Sequence, residues 1–186
     1  MNLSKQSLNV RLNGLVLLIL LFMGALLTAL SAWSAVRMAN RLTKHTVNMK
    51  LAGDIRAMGE YVHARLGTLR LEGGQLVDAE GQAVAGRNEM VDQISEDLGV
   101  VATIFTRDGQ DFTRISTSIR QADGKRAVGT RLGTASAAYQ PVMQRTLFLG
   151  EAMILGAPYA TAYQPILDEA REVIGILFLG IPQREI

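Results

Sequence analysis

Cysteine is absent from the 186 residues, which excludes a disulfide, a thiolate nucleophile and any Cys-based zinc site. Histidine is nearly absent too. His45 and His63 stand far apart with no other histidine near either, so a metal site is not expected. Also missing are a nucleophile with its base, a phosphate-cradling glycine loop, and paired carboxylates with a third partner; Gly73, Gly74 and Gly81 are ordinary turn glycines. Neither an enzyme nor a cofactor is therefore expected. Aromatic residues are few, at 5%, and do not interleave with the basic ones. Nucleic acid is accordingly not an expected partner, despite a formal net charge of +2.

Charge itself is missing from residues 12–36, which hold no Asp, Glu, Lys, Arg or His. Roughly 20 apolar residues suffice to cross a hydrocarbon core. A cleaved secretory signal is the competing reading, with Ala32-Trp33-Ser34 as a weak cleavage site, but a signal's apolar region is only about 7–15 residues long. The run is read as a transmembrane helix that contacts lipid. Lys5 and Arg11 precede it, and Arg37, Arg41, Lys44 and Lys50 follow, so the positive-inside rule is nearly tied and leans slightly against export of the domain that follows. Residues 1–70 hold nine basic and two acidic residues, so the basic half lies beside the membrane.

Beyond the apolar run, Val47, Leu51, Ile55, Met58, Val62, Leu66 and Leu69 recur at three- and four-residue steps. They make one stripe on a helix that continues to about Arg70. Such a stripe covers the chain's own sheet or packs on the same helix of a second copy, and a homodimer is the expected assembly. Glu72-Gly73-Gly74 breaks the helix, and residues 74–86 read as a hairpin turning at Glu80-Gly81. Asn88 is placed to cap the next helix and Gly99 to end it in a left-handed conformation. Residues 100–106 and 111–119 read as a second hairpin around Arg107-Asp108-Gly109-Gln110, followed by a polar loop and a helix over about 136–145. Three strands close the pattern at roughly 147–154, 159–167 and 172–180. The order fits an α+β fold with a central antiparallel sheet flanked by helices.

Alternation places Tyr159, Thr161 and Tyr163 on one sheet face and Phe112, Arg114, Ser116 and Ser118 together on another strand. Arg114 offers a permanently charged planar fork for a carboxylate, with Ser116 as a neutral donor; the alternative is an arginine paired to Asp111 or Glu151. Tyrosines suit pocket walls and plain core equally.

Three blocks carry a resemblance to a known family: VDQISEDLGVVATIFTRDGQDFTRISTS at 91–118, DGKRAVGT at 123–130, and ILGAPYATAYQPILDEAREVIGILFLGI at 154–181. In this order they are similar to the single Cache domains of methyl-accepting chemotaxis receptors. The resemblance implies a PAS-like sheet with a ligand pocket, in a sensor outside the cytoplasmic membrane. It implies a cytoplasmic tail at 1–11, a span at 12–36, a periplasmic helix at 37–70 and a Cache-like domain at 71–186. Arg126 matches a basic position of the RAVGT block, so the candidate ligand-binding set is Arg114, Ser116, Arg126, Tyr159, Thr161 and Tyr163. Arg171 and Arg145 stand where the family commonly has glycine, so Arg171 must avoid a positive φ or carry its cost.

The expected function is that of a single-pass, inner-membrane sensor of a small molecule, with an anionic carboxylate as a candidate ligand. The sequence shows no output module, so a separate signalling partner or a split chemoreceptor is expected. A bitopic dimerisation scaffold is the structural alternative.

Overall fold

The computed structural model describes residues 3–183; the expected 1–11 tail begins, and the expected 71–186 domain ends, outside them. The chain divides at Thr46/Val47 into two units. A helix, α1 (Leu3–Leu66), runs through the first unit and into the second. In the first unit the described apolar side chains, Leu15, Leu20, Phe22, Leu27 and Trp33 among them, are exposed. Their helix is long and apolar enough to cross a membrane. Its hydroxyls are satisfied internally: Thr28 donates to the Ala25 carbonyl at 2.8 Å, and Ser31 and Ser34 to those of Thr28 and Ser31 at 2.9 Å. Among the described residues of the apolar run, no hydroxyl is thus left to seek water from an apolar surface. Arg37, just past the apolar run, sets its guanidinium carbon 3.5 Å from the Trp33 ring centroid.

In the second unit the apolar stripe is buried. Leu51, Ile55, Met58, Val62 and Leu66 pack in one core with Ala102, Ile104, Ala160, Ala162, Leu177 and Leu179. The stripe therefore covers the chain's own sheet. α1 ends at Leu66, short of the expected Arg70, because Gly67 adopts φ 64° and its amide bonds back to the His63 carbonyl at 2.9 Å. Only glycine fits there: a Cβ would stand 2.6 Å from the Ala79 Cβ. Arg70–Glu72 instead form β1, paired with β2 (Gln75–Val77). The turn is Gly73-Gly74, both at positive φ, as a two-residue hairpin with primed geometry requires. The expected Glu80-Gly81 turn exists, but it closes only a single bridge between Val77 and Ala83. Asp78 organises it by accepting the amides of Glu80 at 3.1 Å and Gln82 at 2.7 Å.

Helix α2 (Asn88–Leu98) ends as expected at Gly99, φ 65°. Asn88 does not cap it; its carboxamide oxygen accepts the Thr117 amide at 3.2 Å, tying the helix start to the sheet. The main sheet follows: β3 (Val101–Asp108), β4 (Asp111–Thr117), β5 (Phe148–Ile154), β6 (Ala157–Leu167) and β7 (Val173–Pro182). Its order is β4-β3-β7-β6-β5, and every pairing is antiparallel. Helix α3 (Tyr139–Met143) is shorter than expected. It belongs to a second core, on the face away from α1, with Phe105, Phe112, Tyr163, Ile176 and Phe178. One domain of α+β class, with a central antiparallel sheet and flanking helices, is the result.

Two backbone positions test these contacts. A Cβ on Gly175 would lie 2.5 Å from the Phe105 carbonyl oxygen of the neighbouring strand. Gly175→Ala is expected to cost about 1–3 kcal/mol or more, as overpacking against backbone does. Arg171 carries φ 63°, so Arg171→Gly is expected to raise stability by about 0.5–1 kcal/mol, the left-handed penalty less the freedom glycine adds to the unfolded chain. Thermal midpoints of the purified chain in detergent check both. A neutral Gly175→Ala or a destabilising Arg171→Gly would contradict the geometry.

Candidate functional site

Register decides which side chains reach the face away from α1. On β3 the odd positions, Thr103 and Phe105, turn to that face, while Ala102 and Ile104 turn to α1. β4 changes step beside them: Ile104 pairs with Ser116, but Phe105 pairs with Arg114. Ile115 is the extra residue of a β-bulge. The bulge corrects the expected set, because Ser116 no longer shares a face with Arg114. Ser116 points to the α2 side, where its hydroxyl donates to the Arg87 carbonyl at 3.0 Å. Thr117 takes the place expected for Ser116, and its hydroxyl lies 2.6 Å from that of Thr103.

Arg114 is buried beside this step. A cavity of about 160 Å³ is lined by Arg114, Phe105, Tyr163, Thr130, Leu132 and Ser136, with Met153 at the end of β5 and Leu155 of the β5–β6 turn. A second hollow of about 300 Å³ adjoins it through Leu132, Ser136, Ala152 and Met153 and reaches Glu151. The Arg114 Nη1 donates to the Thr130 hydroxyl, which itself donates to the Ala127 carbonyl at 2.8 Å. The guanidinium carbon lies 5.0 Å from the Phe105 ring centroid. Its Nε is buried without a hydrogen-bond partner, and among the described residues no carboxylate pairs with it. Asp111, a partner weighed from sequence, instead accepts the amides of Phe112 at 2.7 Å and Gly133 at 3.1 Å.

Burial lowers the Arg114 guanidinium from its ordinary value, opposed by neighbouring Tyr163, and pushes the Tyr163 phenol up to about 12, opposed by Arg114. At neutral pH the site thus holds a desolvated cation beside an un-ionised hydroxyl. An anion that reaches the cavity meets both. Tyr163 packs tilted against Phe178 and Phe148, with ring centroids 4.8 and 6.0 Å apart, which fixes its ring.

The other candidates lie elsewhere. Thr161 shares the Tyr163 face but is fully buried, its hydroxyl donated to the Gly150 carbonyl at 2.9 Å. Tyr159 is partly buried in the same core without lining the cavity. Arg126 is held by Asp92 of α2 through two bonds, at 2.7 and 2.6 Å, and donates to the Thr117 carbonyl at 2.7 Å. It clamps α2 to the loop. Thr130, Leu132, Ser136, Met153 and Leu155 were not foreseen; several bonds to β4 bring the loop of the first three to the sheet, among them those of the Arg114 amide to the Thr130 carbonyl at 2.9 Å and of the Leu132 amide to the Phe112 carbonyl at 3.0 Å. Arg131 is half-exposed at the rim and pairs with Asp108.

The family described as the Cache 3/Cache 2 fusion domain matches residues 30–186. No curated protein sequence matches the chain. Among solved structures, it is similar to the ligand-binding domain of the Campylobacter jejuni chemoreceptor Tlp3 in complex with L-valine, at 11% identity and TM-score 0.38. That likeness covers 75% of this chain and 60% of the other. An IclR-family protein from Rhodococcus sp., described as a transcriptional regulator, gives 17% identity and TM-score 0.35 over 65% of this chain and 66% of that one. The chain thus spans about 60% of the length of the chemoreceptor domain it matches.

Two carboxyls outside the cavity, Asp78 and Asp92, carry a pH dependence. Burial acts to raise Asp78, but the Gln82 amide, the Arg87 guanidinium 2.7 Å away and the Glu80 amide outweigh it, so its value is lowered. Arg126's hydrogen bond holds Asp92 low against burial, with the Arg126 and Arg120 charges adding to it. A carboxyl lowered on folding stabilises above its unfolded value and loses that stabilisation as pH falls through its folded value. Stability is therefore expected to hold near neutrality and to fall below about pH 4, the unfolded carboxyl range. Denaturant midpoints across that range should fall less steeply in Asp78→Asn and Asp92→Asn. An unchanged slope in both variants would sink the assignment.

Proposed function

The chain belongs to the Cache 3/Cache 2 fusion domain family, and on that footing we propose that it is a membrane-anchored, extracytoplasmic sensor whose ligand is a small carboxylate held by Arg114. One observation carries the reading: a buried, permanently charged guanidinium whose Nε has no partner, opening on a cavity. A buried charge without a counter-ion costs several kcal/mol. A ligand carboxylate offsets that cost and finds a second donor in the Tyr163 hydroxyl. The cavity has room for a ligand of a few heavy atoms, since 160 Å³ is about five times the roughly 30 Å³ share of a liquid water.

Residues 12–36 serve as the span and place the sheet domain in the periplasm, a side chosen on the family's footing, since the flanking charges lean slightly the other way. Ligand occupancy acts through the face that carries Arg114, and its effect passes to α1 through the sheet. A homodimer and a separate signalling partner complete the reading, which makes the chain a sensor and not an enzyme.

Melting the full chain in nanodiscs with acetate, pyruvate, lactate and propionate is the direct test. A ligand that binds only the folded state raises stability by about 2.7 kcal/mol at 100 times its Kd. The expected result is a saturable rise for at least one carboxylate. Arg114→Met should abolish the rise while melting at or above the unliganded parent, because it removes an unpaired buried charge at similar volume. A panel without any rise, or a rise that survives Arg114→Met, overturns the proposal and favours the dimerisation scaffold.

A further inference from the structure

A separate cleft of about 420 Å³ lies on the opposite face, between α1 and β6. Val62 and Leu177 form its floor, Arg56, Glu60 and His63 follow one another along its helical rim, and Gln164 faces them from β6. Gly59 opens it. A Cβ on Gly59 would meet the Gln164 Nε2 at 3.6 Å and the Leu177 Cδ1 at 3.8 Å, which is ordinary contact. Alanine would fit, and alanine in a helix interior is favoured over glycine by about 1 kcal/mol. Close packing of helix on sheet therefore does not require glycine here; what its missing side chain secures is the cleft.

The rim carries opposite charges that do not satisfy each other. Arg56 and Glu60 are exposed, and neither has a partner among the described residues. Their order along the helix, cation before anion, is the weaker one for an i,i+4 pair. Four residues apart, the two side chains leave the helix about 5–6 Å from each other. A molecule with opposite charges joined by a short apolar body matches the rim and the floor together.

We propose that this cleft is a second ligand site, distinct from the Arg114 cavity, which takes a short ω-amino carboxylate. The carboxylate sits on Arg56, the methylenes lie on Val62 and Leu177, and the ammonium sits on Glu60. Gln164 supplies a neutral polar contact from the sheet. Because the site is built from both α1 and β6, its occupant binds helix and sheet to each other.

Thermal titration of the full chain in nanodiscs with 4-aminobutyrate and 5-aminovalerate tests this, with L-alanine as a zwitterion of shorter charge separation. In Arg114→Met, where the other cavity lacks its cation, the two ω-amino acids are expected to give a saturable rise and L-alanine none. Gly59→Leu, which fills the cleft, and Glu60→Gln, an exposed change that leaves the fold intact, should each weaken binding at least tenfold. Arg114→Met should leave it unchanged. The proposal is overturned if no rise occurs, if L-alanine binds Arg114→Met equally well, if Glu60→Gln keeps full affinity, or if Arg114→Met abolishes the effect and so assigns it to the other cavity. A change of oligomeric state in Gly59→Leu would also overturn it, by assigning the cleft to a second copy of the chain.

Discussion

The fold depends on covering β7 from both sides. Eight consecutive residues, from Val173 to Gly180, are buried, and a strand in that position needs an apolar layer on each face. The two layers are unlike. Toward α1 the neighbouring strands present Ala102, Ala160 and Ala162, small enough for the Leu51, Ile55, Met58 and Val62 stripe to seat closely. On the other face Phe105, Tyr163 and Phe178 build an aromatic layer with ring centroids 4.8–6.4 Å apart. Arg114 lies at the margin of that layer, which is why its charge is desolvated and its position fixed.

Much of this was legible in the sequence because it rests on local period. The stripe from Val47 to Leu66 has helical spacing, which announced an apolar face to be covered, and the structure covers it with the chain's own sheet. The five main strands were readable from β-branched and apolar runs set off by turn residues, and Gly99 from its place after Leu98. Arg171 and Arg145 stood out as non-glycine residues in glycine positions, and both indeed adopt positive φ, 63° and 62°. The end of α1 was misplaced because two glycine signals compete. Gly67 terminates the helix through a close approach to Ala79, a residue twelve positions away that no local pattern reveals.

The candidate site was legible only in part, for a related reason. Strict alternation puts Arg114 and Ser116 together, and a single bulge at Ile115 separates them. A bulge depends on how two strands pair, so one strand's pattern does not announce it. Arg126 illustrates a second limit: its charge suggested an anion site, but Asp92 on α2 already supplies the anion. The residues that close the cavity come from the loop at Thr130 to Ser136 and from the β5–β6 turn, where Leu155 holds φ 49°. Tertiary pairing brings them in. Arg114 and Tyr163 are the two sequence candidates that the fold unites at the cavity.

Strand order bears on how the domain is made. β3 with β4, and β5 with β6, are sequence-adjacent hairpins that can close as soon as each is synthesised. β7 is made after both, yet it sits between β3 and β6. Until it arrives, each hairpin has an open inner edge, and such edges invite pairing with other chains. Its pairing with β3 spans about seventy residues of sequence, a long loop to close before any native contact rewards it. Assembly of the sheet is thus gated by one late, uncharged strand, and translocation or chaperoning that keeps the two hairpins apart from other molecules until then protects the domain from aggregation.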